Sequence, residues 1–244
     1  MSDVTEIAWT NSTFNPWVGC SKVGPGCLNC YAEAADHRWG GDLWGPRKTP
    51  RVTSLDNWKK PLRWNRAAEA AGIRHRVFCG SLMDVMDKNA PAVARTRLWQ
   101  LIRQTRSLDW QLLTKRAPNF YKYLPEDWRS GYDNVWLGVT VENRRHGLPR
   151  IDILRKIPAK LRFLSVEPLL EDLGEIDLTG ISWVIVGGES GPRARVMELN
   201  WVTNIRRQCV AADVAFFYKQ KGGHPVKGGC LLDGIEVKEW PIAA

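Results

Sequence analysis

No apolar run in this chain of 244 residues approaches the ~20 residues needed to span a bilayer. The opening residues, Met1-Ser-Asp-Val-Thr-Glu-Ile, lack the basic stretch and apolar run of a signal peptide. The two absences make the cytoplasm the expected location and leave no membrane partner. Six cysteines are too few for a disulfide scaffold of this size. In a reducing compartment, clustered cysteines read better as metal ligands. No fixed repeat period is present, which excludes a solenoid. No linker or break in composition divides the chain, so a single domain over 1–244 is expected. Acidic residues are also in deficit, 26 against 35 basic, and the net charge of +9 points to a polyanionic partner.

What is present gathers around one stretch, Asn15-Pro-Trp-Val-Gly-Cys20-Ser-Lys-Val-Gly-Pro-Gly-Cys27-Leu-Asn-Cys30-Tyr31. Its cysteines follow a C-x6-C-x2-C spacing. Gly24, Pro25 and Gly26 let the intervening loop turn sharply and bring the sulfurs to one point. Three thiolates at a point are a soft ligand set that favours an iron–sulfur cluster or zinc. No fourth ligand is evident. Cys79 and Cys209 lie in apolar runs and read as buried thiols. Cys230 lies in a Gly-rich loop and is left unassigned.

Around that loop the chain alternates strands and helices. Phe14 to Val18 is the expected first strand, followed by the cysteines and a helix from Tyr31. Residues 38–66 form a basic excursion, with Trp39, Trp44, Trp58 and Trp64 interleaved among arginines and lysines. Pro46, Pro50 and Pro61 are expected to break any long helix there. Two readings stand for it: tryptophan anchors beneath a solvated basic face, or a surface that neutralises a nucleic-acid backbone and stacks on bases. Further strands are expected at His75–Leu82, Asp109–Arg116, Asn134–Asn143, Leu161–Pro168, Ile181–Gly191 and Val214–Gln220. Between them, Asn89 and Pro91 are expected to start a helix that buries Val93, Ala94, Leu98, Leu101 and Ile102. A short helix is expected over Asn119–Leu124, and helical spacing continues over Arg150–Ile157. Asn200 is expected to cap a last helix that buries Val202, Ile205, Cys209 and Val210. Near-continuous apolar strands joined by crossovers argue for parallel pairing covered on both faces. The expected fold is α/β, a partial (β/α) TIM-like barrel of about six to seven parallel strands, with the cysteine loop after the first.

Polar residues cluster at the ends of these strands: Ser81 and Asp84, Thr114-Lys115-Arg116, Thr140 with Glu142-Asn143, Glu167, Glu189-Ser190 and Lys219-Gln220. Sites of parallel α/β folds form at that end. A cubane cluster held by three cysteines leaves one iron open to a small molecule with an amine and a carboxylate. In this arrangement the chain resembles the radical S-adenosylmethionine superfamily. More closely, it is similar to a bacterial and phage-associated three-cysteine branch carrying the string NPWVGCSKVGPGCLNCYAE. The segments LLTKRAPNF, VWLGVTVEN, RFLSVEPLL and VIVGGESG extend the resemblance over most of the chain. Two departures from the superfamily's common pattern are the six-residue first spacing, usually three, and Asn29 where an aromatic is common.

The resemblance implies an enzyme with two cofactors, a 4Fe-4S cluster on Cys20, Cys27 and Cys30 and S-adenosyl-L-methionine at the open iron. It implies reductive cleavage to methionine and a 5′-deoxyadenosyl radical, driven by a reductant such as flavodoxin or ferredoxin. It implies roles as well: Gly80 and Ser81 at the methionine amino group, and Lys115 or Arg116 at its carboxylate. Gly187 and Gly188 would let the backbone approach the adenosine, and Glu142, Glu167 or Glu189 would accept from ribose or substrate. The alternative for each carboxylate is an ion pair with Lys115, Arg116 or Lys219. Charge and the Trp-rich excursion favour a nucleic-acid base as substrate, for modification or repair, which a duplex would have to flip out. A peptide, a nucleotide or a small metabolite is the alternative substrate. The non-enzyme alternative is a zinc-binding nucleic-acid module using Cys20, Cys27, Cys30 and His37. A phosphate site at Gly187–Gly191 lacks the Gly-Lys-Ser/Thr ending of a P-loop.

Overall fold

The structure is a computed structural model that describes residues 5–242. The start of the polar lead-in therefore lies outside the described residues. The chain falls into two compact units. The first comprises Met1–Lys22, Ala32–Leu137 and Pro158–Lys160; the second comprises Val23–Tyr31, Gly138–Ile157 and Leu161–Ala244.

The first unit begins with β1 (Ser12–Thr13) and β2 (Trp17–Val18), followed by α1 (Tyr31–Arg38), β3 (Arg51–Val52) and α2 (Leu55–Ala70). Next come β4 (His75–Cys79), α3 (Ala92–Gln104), β5 (Leu108–Thr114), the short α4 (Phe120–Tyr123) and the start of β6 (Val135–Thr140). Pairing is parallel for β1 with β4 (Ser12 opposite Val77) and for β4 with β5 (His75 opposite Leu108). The core is aromatic. Phe14 meets Trp58 and Trp110 edge-on at ring distances of 5.5 and 5.8 Å, an arrangement that suits ring quadrupoles.

The second unit continues from the end of β6 through α5 (Arg144–Lys156), β7 (Leu161–Val166), β8 (Trp183–Gly187), α6 (Leu199–Ala211) and β9 (Ala215–Gln220). A small hairpin, β10 (Leu231–Leu232) and β11 (Ile235–Glu236), follows the last of these. β7, β8 and β9 pair in parallel, with Phe163 opposite Trp183 and Trp183 opposite Ala215. Trp183 is fully buried against Phe163, Phe217 and Trp240. Its Nε1 donates to the Glu239 carbonyl at 2.9 Å, which satisfies the one polar atom of the ring.

Strand order in the sheet is β1-β4-β5-β6-β7-β8-β9. It follows the chain without reversal, as in (β/α) barrel winding and unlike a doubly wound sheet. The protein is thus α/β with seven strands ordered as a partial (β/α) barrel, the expected class.

Several local expectations change. The first sheet strand is Ser12–Thr13, ahead of the expected Phe14–Val18. Pro16 has no N–H to give the ladder, and beyond it Trp17–Val18 pairs antiparallel with β3 instead. α2 runs through Pro61, contrary to the expected break. Its start is capped by Ser54, which accepts from the Asn57 N–H, and Asn57, Trp58, Pro61 and Ala68 are buried. That burial outweighs one missing helical hydrogen bond. Asn89 does not cap α3: Pro91 holds the cap position, and Asn89 donates its amide to the Pro46 carbonyl at 3.0 Å. Asn200 lies inside the first turn of α6, behind Glu198. Val93 is 83% exposed, and Val210 is exposed too, so neither joins the buried face of its helix.

Gly138 in β6 shows how tightly the second unit is packed. A Cβ there would lie 2.4 Å from the Phe163 ring. Gly138→Ala should therefore overpack the core and cost about 1–3 kcal/mol, read as a lower denaturant midpoint at unchanged m-value.

Candidate metal centre

In the first unit, the chain leaving β1 is held by Asn15. Its side chain donates to Ser81 Oγ (3.0 Å) and accepts from the Leu82 N–H (2.8 Å). A Cβ on Gly80 would lie 2.7 Å from both Asn15 Oδ1 and Met83 Cε, so the space beside that glycine is already taken. Five residues on, Cys20 is half-buried beside a charged group. Arg116, at the end of β5, donates Nη1 to Asp84 (2.7 Å) and pairs through Nη2 with Asp87 (3.0 Å). The same Nη2 reaches the Ser21 carbonyl, Ser21 Oγ (3.0 Å) and Cys20 Sγ (3.5 Å). Asp87 accepts from both the N–H and the hydroxyl of Ser21, each at 2.9 Å. Asp84 accepts from Thr114 Oγ1 (2.8 Å) and the Met86 N–H (2.8 Å).

The electrostatics follow from burial. A carboxylate taken out of water is tolerated where cations and N–H groups replace its hydration. Burial pushes the Asp87 carboxyl up, but Arg116 and the hydrogen bonds from Asn89 and Ser21 outweigh it and hold it below the usual range. Burial pushes the Cys20 thiol up, and the nearby Arg116 works against that rise.

In the second unit, the segment Val23–Tyr31 carries Cys27 on a 3-10 turn (Pro25–Cys27) and Cys30 just before α1. Asn29 donates to Glu189 Oε2 (2.9 Å) and to the Arg193 carbonyl (2.8 Å). Arg195 forks onto Glu189 (2.9 and 2.6 Å) and gives Nη2 to the Pro25 carbonyl (3.0 Å). A Cβ on Gly26 would lie 2.8 Å from Glu142 Cγ, so the glycine lets the turn lie on that side chain. Glu142 is itself clamped by Arg150 at 2.6 and 3.3 Å. Glu167, just beyond β7, pairs with Lys219 at 2.5 Å. Gly187 lies against Glu167, with an added Cβ 3.4 Å from Cδ. At Gly188 an added Cβ would lie 1.9 Å from the Lys221 carbonyl, and this approach alone requires a glycine.

The residues expected at strand ends are there, and the carboxylates have specific partners. Glu167 with Lys219 is the ion pair named as an alternative. Glu142 with Arg150 and Glu189 with Arg195 use arginines that sequence reasoning missed, as it missed Asp87. Arg150 comes eight positions after Glu142 and Arg195 six after Glu189. In a chain rich in arginine neither spacing stands out. All six cysteines are free; Cys20, Cys27 and Cys30 are half-buried, while Cys79 and Cys209 are buried as expected. Among the described residues, no three His, Cys, Asp or Glu side chains stand together as a preformed metal site. His37, the fourth ligand of the zinc alternative, is exposed on α1. The donor chemistry nevertheless fits a soft metal: three free, partly accessible thiols, one of them with a guanidinium within 3.5 Å that offsets part of the cost of burying its charged form.

Glu189 generates a test by pH. Burial raises its pKa, but the hydrogen bonds from Arg195 and Asn29 win and bring it below its ordinary value near 4.5. A depressed carboxyl adds stability that is complete above the ordinary value and is lost as pH falls through the folded one. Glu189→Gln should therefore flatten the loss of stability below about pH 5, measured by denaturant titration at several pH values.

No curated protein matches the chain. Among solved structures it is similar to a double mutant of spore photoproduct lyase with bound AdoMet and dinucleoside spore photoproduct, with a TM-score of 0.46 and 12% identity. The match covers 80% of this chain and 60% of that one, so the chain spans less than two thirds of the length of the protein it resembles. The family described as protein of unknown function (DUF5131) matches residues 4–241, nearly the full length, and the chain belongs to that family.

Proposed function

We propose that this chain is a radical S-adenosylmethionine enzyme in which Cys20, Cys27 and Cys30 hold a 4Fe-4S cluster. The observation that carries the reading is the C-x6-C-x2-C loop itself. Its thiols are free and partly accessible, and it follows the first strand of an α/β sheet with barrel-type order. Such folds build their sites from the loops that follow strands. A cluster held by these cysteines would supply the electron for reductive cleavage of S-adenosylmethionine, chemistry that yields an abstractor of hydrogen atoms.

The chain's own residues bind and orient. Gly80 and Ser81, after β4, are assigned to the methionine amino group. Lys115 or Arg116, which follow β5, is assigned to the methionine carboxylate; Arg116 also gives its fork to Asp84 and Asp87. Among the three carboxylates, the side chains of Glu142 and Glu189 are 0% and 6% exposed and support the loop, whereas Glu167 is 20% exposed. Glu167, next to Gly187, is therefore assigned to the ribose hydroxyls, with Lys219 holding its orientation. Gly187 and Gly188 stay assigned to the adenosine side, with Gly187 the more open of the two because the Lys221 carbonyl fills the space beside Gly188.

Anaerobic purification with iron and sulfide should give a brown protein that releases 5′-deoxyadenosine from S-adenosylmethionine and dithionite. Alanine at any of the three cysteines should abolish both colour and product. A colourless protein with one tight zinc would sink the reading in favour of the zinc module.

The proposed substrate is a nucleic-acid base, supported by the +9 charge. The tryptophans of the excursion contribute less than their number suggests. Trp44 and Trp58 are core, Trp64 stacks on His75, and Trp39 is 72% exposed. Binding should therefore depend on backbone neutralisation more than on stacking. DNA and RNA gel shifts should show binding that falls steeply with salt and changes little in Trp39→Ala. No shift at low salt would turn the search to a peptide or a small metabolite. The electron donor is assigned to the flavodoxin or ferredoxin class, tested by replacing dithionite with each.

A further inference from the structure

Arg116 does more in the first unit than neutralise two aspartates. Its Nη2 lies 3.5 Å from Cys20 Sγ and also reaches the carbonyl and hydroxyl of Ser21. Ser21 is gripped from the other side by Asp87, which accepts from its N–H and its hydroxyl. Cys20 is fixed on its own backbone as well, its carbonyl accepting from the Gly45 N–H at 2.9 Å. Asp87 is in turn oriented through its backbone carbonyl, which accepts from Arg95 Nη2 at 2.5 Å. The sulfur thus faces a guanidinium whose plane is set by Asp84, Asp87 and Ser21.

We propose that Arg116 is a positioning residue that presents Cys20 for metal ligation and raises the reduction potential of a cluster bound there, with Asp87 acting in the opposite sense. The inference rests on the cluster reading above. Its physics is that of a hydrogen bond and a charge beside a ligating sulfur. An N–H directed at a thiolate draws electron density from the metal, and a nearby cation favours the state with one more electron. A nearby carboxylate disfavours that state. The two groups lie on the same Ser21–Cys20 segment, so their effects on potential should be opposite although both maintain the same local structure.

The test compares wild type with Arg116→Gln, Arg116→Lys and Asp87→Asn after anaerobic reconstitution with iron and sulfide. Iron and sulfide per chain report loading, and a redox titration followed by electron paramagnetic resonance reports the midpoint potential. Arg116→Gln should shift the midpoint to more negative values and hold iron roughly 10–100-fold more weakly against a chelator. Arg116→Lys, which keeps the charge but loses the fork, should lie between it and wild type. Asp87→Asn should shift the midpoint to more positive values. Coincident midpoints at equal loading overturn the inference and leave the cluster reading intact. A wild type that takes up no iron and sulfide overturns both. Should Arg116→Gln fail to fold, Asp87→Asn decides alone, and a zero or negative shift overturns the inference.

Discussion

A carboxylate buried at the end of a strand must keep a cation within hydrogen-bond reach, and most of the candidate site follows from that constraint. Glu142, Asp87 and Glu189 are all buried. Left unpaired, each would carry a desolvation penalty of several kcal/mol. Arg150, Arg116 and Arg195 offset that penalty through short contacts. Two of these arginines have donors to spare and extend them to the cysteine segment. In the first unit Arg116 reaches the Ser21 carbonyl, and in the second Arg195 reaches that of Pro25. A planar fork with five donors can serve a carboxylate and a carbonyl together, which a lysine ammonium does less well.

Glycines make the complementary contribution. Gly26 lets its turn rest on Glu142, and Gly188 lets the end of β8 meet the Lys221 backbone. Each stands where another chain element fills the space of a side chain. The cysteine segment is therefore held by packing and by charge, independently of its own flexible composition. Glycine and proline permit the turn; arginine and carboxylate decide which turn is taken.

Much of the fold was legible because strand–helix alternation is a strong periodic signal. Apolar runs such as Trp183–Gly187 and residues 135–139 could bury both faces only as central strands. Legibility failed where a single residue decided. Pro61 suggested a helix end, but Asn57 and Trp58 bury the same face and carry α2 through it. Asn89 and Asn200 had the right chemistry for caps, yet Pro91 and Glu198 took those positions. The interleaved tryptophans left two readings open, anchors or a stacking surface, and burial assigned Trp44 and Trp58 to the anchors.

The cysteine spacing, the basic charge, the strand–helix alternation and the polar strand ends are properties of the linear chain, and the sequence by itself determined them. They were enough to identify the α/β class and to single out the loop on which the proposed function rests. Only tertiary structure decided which cation meets which carboxylate. Arg116 lies far along the chain from Cys20, and Asn29 further still from Glu189. Such pairs leave no periodic trace, because an ion pair depends on distance in space and not on separation in sequence. The same reason assigned Glu142 and Glu189 to supporting the loop and left Glu167 the more accessible of the three.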